Sequence, residues 1–131
     1  MYEPRQGIVL RAVYGAHLPA TLRLPRALSA NQPYFELRRY AAAGPREIRP
    51  SLQAVFGRAG MTPLDGRGLT FLIPFASLGA RARAWAEVNA DPEWHKLRGR
   101  VRLGEMAIYR RCYSEPSPKS LPAYISAASS R

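Results

Sequence analysis

Between Tyr34 and Ala59 the spacing of apolar residues changes from a period of two to a helical one across a single break, Gly44-Pro45. That switch constrains the fold more than any other feature of the chain. In Tyr34 to Tyr40, Phe35 and Leu37 point one way, and Tyr34, Glu36, Arg38 and Tyr40 the other, as in a strand. Ile48, Leu52, Val55, Phe56 and Ala59 then recur on one helical stripe. Pro50 fits that helix only in its first turn, where its missing N–H costs nothing, so a start near Arg49 is expected, with Gly60 as the stop.

The pattern continues in the same style. Met61 to Leu64 is a short, weak strand candidate, and Asp65-Gly66-Arg67-Gly68 reads as a turn. Leu69 to Phe75 is the most apolar stretch and reads as a central strand ended by Pro74. Ser77 can cap a second helix with Leu78, Ala82, Trp85 and Val88 inward and Arg81, Arg83 and Glu87 mostly toward water. Asp91-Pro92-Glu93 opens a short third helix carrying Trp94 and Leu97, and Gly104 to Arg111 is the last strand. Trp85 and Trp94 read as core residues. The order strand, helix, strand, strand, helix, strand is the split βαβ arrangement, an α+β, ferredoxin-like βαββαβ sandwich. A four-stranded antiparallel sheet with both helices on one face is expected.

Residues 33–113 are therefore expected to form the domain. Residues 1–32 hold Pro4, Pro19 and Pro25 and no sustained period, and read as a basic, loosely structured extension; 114–131, rich in Ser, Pro and Ala, read as a flexible tail. The arginine-rich start is compatible with a transit peptide, but its prolines weaken the amphipathic helix such a signal needs. No run approaches the ~20 apolar residues of a membrane-spanning helix, so no membrane span is expected.

The 131-residue chain carries a net charge of +11. The three segments contribute +3, +7 and +1, with no block of like charges. Such a surface keeps anionic ligands in view. Cys112 is the single cysteine and reads as a half-buried strand residue. With His17 and His95 it makes no familiar metal-binding pattern, so no metal and no cofactor are expected.

If Phe35 and Leu37 face the helices, the open side of the sheet carries Tyr34, Glu36, Arg38 and Tyr40, with Tyr109 from the last strand beside them. Aromatic rings to cover and charges to pair make that side a surface for a homodimer enclosing a small, partly polar cavity. Glu36, Arg38, Tyr40 and Tyr109 are then the candidate ligand-binding residues. Glu36 and Arg38 form a salt bridge at the interface, or act there as a base and an anion holder. No catalytic residue is identified.

Four segments also resemble the NIPSNAP family: Tyr34-Phe35-Glu36-Leu37-Arg38-Arg39-Tyr40, Ala59-Gly60-Met61-Thr62-Pro63-Leu64, Leu72 to Leu78, and Arg81 to Trp94 with Arg83-Ala84-Trp85, Asn89-Ala90 and Asp91-Pro92-Glu93-Trp94. The resemblance implies a fold of the dimeric α+β barrel type, and it brings no established catalytic mechanism. A single domain, Pro50 in the first helix and the stretch before Tyr34 depart from the family pattern. The expected function is a homodimeric small-ligand-binding or interaction module. The alternatives are a small oxygenase-type enzyme of the same fold class, by analogy of fold, and an RNA-binding module using exposed sheet aromatics. Nucleic acid is the least favoured partner, because Glu36 sits badly on a stacking platform and the expected motif is absent. A cytoplasmic location is expected, or the mitochondrial matrix if the source is eukaryotic.

Overall fold

A computed structural model describes residues 7–15, 19–25, 31–64 and 68–112. The chain is α+β, with strands β1 (Gly7–Tyr14), β2 (Thr21–Pro25), β3 (Tyr34–Ala41), β4 (Thr70–Phe75) and β5 (Arg102–Arg111). The helices are α1 (Pro45–Arg58), α2 (Leu78–Ala90) and α3 (Pro92–Leu97). The strands form one antiparallel sheet in the order β2-β1-β5-β3-β4. The expected turn residues 65–67 and the tail 114–131 lie outside the described residues.

The local signals act largely as the sequence suggests. Gly60, at φ 82°, stops α1. Met61 N–H donates to the Phe56 carbonyl and Gly60 N–H to that of Gly57, the paired bonds of a left-handed helix stop. Ser77 Oγ accepts from Ala80 N–H at 2.9 Å to cap α2, and Asp91 Oδ1 accepts from Glu93 N–H at 2.9 Å to open α3. The start of α1 differs from expectation. Gly44 takes a left-handed conformation and Pro45, not a residue near Arg49, begins the helix. Pro50 thus lies inside it, and the carbonyl it leaves unpaired belongs to Arg46. Both residues are exposed, so water can take that bond.

The expected four-stranded layout changes at both ends. Met61 to Leu64 contributes only one bridge, Leu64 to Leu72. That leaves β4 as the last full strand on its side, not a central one, which is where Pro74 is tolerated inside a strand. At the other end, residues expected to be a loose extension supply β1 and β2. Ile8 pairs with Leu24 and Leu10 with Leu22, and β1 continues onto β5. Cross-strand apolar pairs of this kind stabilise a hairpin that Arg11 and Arg23 obscure in the sequence. Gly15 ends β1 at φ 116°, and a Cβ there would lie 2.7 Å from the Met106 carbonyl oxygen. Only glycine fits that approach.

The larger correction concerns the two faces of β3. Tyr40, Phe71, Ile73 and Phe75 pack against Ile48, Leu52, Val55 and Phe56 of α1, Val88 of α2 and Trp94 of α3. Tyr34 and Trp85 flank that core. So Tyr34, Glu36, Arg38 and Tyr40 lie beneath the helices, and Phe35 and Leu37 point away from them. Phe35, Leu37, Ala107 and Tyr109 join Leu10, Leu24 and Leu72 in a second apolar cluster. Leu24 and Leu72 come from strands at opposite edges, so the sheet is curled. The alternation of Tyr34 to Tyr40 is the same whichever face is roofed, and burial followed the pairing of the charges.

Candidate functional site

Glu36 is fully buried, and its carboxylate accepts four hydrogen bonds. Arg81 on α2 approaches as a fork, with Nε 2.7 Å from Oε1 and Nη2 3.0 Å from Oε2. Arg38, two residues along β3, donates from Nε to Oε2 at 2.7 Å, and Trp85 donates from its indole N–H to Oε1 at 2.7 Å. Arg38 also donates to the Tyr40 hydroxyl at 3.1 Å, and its guanidinium carbon lies 3.9 Å from the centre of the Trp85 ring. Strand alternation brings Glu36, Arg38 and Tyr40 to one face, and Arg81 and Trp85 meet them from adjoining turns of α2. The inward stripe of α2 is Arg81, Ala84, Trp85 and Val88, in place of the expected stripe with Leu78 and Ala82. Leu78 is 48% exposed.

Of the four candidate residues, the structure brings three together. Tyr109 lies on the opposite face, fully buried, and donates from its hydroxyl to the Pro19 carbonyl at 2.7 Å. Burial pushes its pKa up. Arg81 and Trp85 are the members that sequence reasoning missed: Arg81 was expected in water and Trp85 only in the core. The signal was a carboxylate mid-strand and an arginine on the helix stripe that must cross it.

The electrostatics define what this group can do. Burial pushes the Glu36 pKa up, but the hydrogen bonds from Arg81, Arg38 and Trp85 and the Arg38 charge outweigh it, and the net shift is downward. A carboxylate with four donors and a depressed pKa is a poor general base, which removes the basis for assigning Glu36 that role. Burial works against the charge of Arg38, yet Tyr40 and Glu36 hold its pKa above the ordinary value. Burial raises the pKa of Tyr40 against the opposing charge of Arg38, so its hydroxyl stays protonated at neutral pH. Two guanidinium groups thus share one carboxylate, leaving a net positive charge. Their side chains are 15% and 21% exposed.

Among the described residues no three or more His, Cys, Asp or Glu gather to hold a metal ion. Nor is any helix there long and apolar enough to cross a membrane. His95 is exposed, with Nε2 2.8 Å from the Asn89 carbonyl, and Cys112 is half-buried. Neither a family model nor a curated protein matches this chain.

Proposed function

We propose that the protein is a small-anion-binding module built on a NIPSNAP-like, ferredoxin-like domain of the dimeric α+β barrel type. The observation that carries the binding site is the sharing of one buried carboxylate by Arg38 and Arg81. Each guanidinium has further N–H groups for which the described residues supply no acceptor. The Tyr40 hydroxyl is a third donor beside them. Glu36 fixes the arginines in place, so a carboxylate or phosphate group would meet donors already oriented. The site is complete within one chain.

The fold part of the reading is supported by the order β5-β3-β4 followed by the Leu64 bridge. It sets the first and third strands of a split βαβ unit between the last and the second. The β1–β2 hairpin is an addition beyond the last strand. The burial of Tyr40 and Tyr109 weighs against RNA stacking on the sheet.

The two tryptophans provide the test. In a titration with phosphate and with malonate followed by nitrogen–proton NMR, the Trp85 indole signal should shift saturably while that of Trp94 stays fixed. Tyr40→Phe should weaken the response several-fold. If both indoles stand still, or drift together with ionic strength, the anion-binding reading is wrong.

A further inference from the structure

Lys96, Arg98, Arg100 and Arg102 lie within seven residues, from the last turn of α3 through the following turn into β5. All four are exposed, and none pairs with an acid among the described residues. The nearest acids in sequence are already engaged. Glu93 accepts from Arg58 at 2.7 Å, and Glu105 is held by Arg39. Arginines from elsewhere therefore neutralise the flanks and leave the middle of the segment uncompensated.

Shape adds to charge at the same place. An open cleft of about 380 Å³ lies between Ala41–Ala43, at the exit of β3, and Gly99–Arg102. Its walls are methyl groups, backbone and the two arginines Arg100 and Arg102. It holds no acidic side chain and no aromatic ring. Small walls let a charged backbone approach closely, and the absence of rings leaves nothing to stack on a base.

We propose that this face binds the phosphodiester backbone of a nucleic acid without reading its bases. Arg100 and Arg102 would take one phosphate in the cleft, and Arg98 and Lys96 its neighbours along the chain. This goes beyond the Arg38–Arg81 site, shares no residue with it, and is tested separately.

Fluorescence anisotropy with a labelled oligouridine and a DNA strand of the same length tests it. Three phosphate contacts on a single strand give a log–log salt slope of about −2.1, roughly a 20-fold weakening between about 50 and 200 mM salt. RNA and DNA should bind alike. Combining Arg98→Ala, Arg100→Ala and Arg102→Ala should reduce the slope to about −0.7, with the thermal melt unchanged. Arg83→Ala with Arg110→Ala, exposed positions off this face, should leave binding within about twofold; an equal loss per charge removed would reduce the effect to net charge and overturn the proposal. So would an absence of binding at about 50 mM salt, or preference for phosphatidylserine vesicles over either strand.

Discussion

The two faces of β3 are built from the same alternating heptapeptide and solve burial in opposite ways. Toward the helices, Glu36, Arg38 and Tyr40 are covered together with Arg81 and Trp85, and every oxygen lone pair of the carboxylate is matched by a donor. Away from the helices, Phe35 and Leu37 pack with Leu10, Leu24 and Tyr109 as an ordinary apolar cluster. The polar face is thus the one under the roof. Polarity reports exposure only when the charges have no partners, and here the partners arrive from a helix about 45 residues later.

Breaking each face in turn sharpens that contrast. Glu36→Ala strands two guanidinium groups beneath α2 and should cost about 3–5 kcal/mol in urea denaturation, whereas replacing Glu36, Arg38 and Arg81 together by Met should recover most of that loss. The pH dependence has a definite sign. Because the folded-state pKa of Glu36 lies below its ordinary value of 4.5, its stabilisation is complete above that pH and fades as acid titrates the folded carboxylate. Wild type should lose stability on acidification through that range more steeply than Glu36→Gln. Equal acid slopes would mean that the network contributes nothing through ionisation.

On the other face, Phe35→Ala should cost a similar amount, about 3–5 kcal/mol, by leaving a cavity. That loss should be the same at pH 7 and pH 4. If it changes with pH, the faces are coupled and the contrast between them fails. Tyr109→Phe is the smallest of the set: it leaves the Pro19 carbonyl without its donor and should cost about 1–3 kcal/mol, again without pH dependence.

The parts of the fold legible in the sequence are those set by neighbours along the chain. Gly60, Ser77 and Asp91-Pro92 act within a few residues, and their helix ends form where the residue types place them. The hairpin was not legible, because it joins the sheet only through the pairing of β1 with β5, some hundred residues away from Leu10. A local trace existed all the same: Leu22 and Leu24 alternate with Thr21 and Arg23. Glu36, Arg38 and Tyr40 were legible as a group because they share a strand face. Tyr109 was misplaced because strand β5 carries small and large apolar residues on both sides, so nothing local orients it.

The saturated carboxylate has a consequence for how the sheet avoids mistakes while forming. A slip of β3 by one residue would turn Glu36 and Arg38 into the cluster of Leu10, Leu24 and Leu72, and Phe35 toward Arg81. An apolar strand could accept such an error at modest cost. This one would desolvate an ion that keeps Arg38 alone and loses its three bonds from Arg81 and Trp85. Glu36 therefore works as a proofreading mark on the strand, and only the native alignment brings it to its four donors.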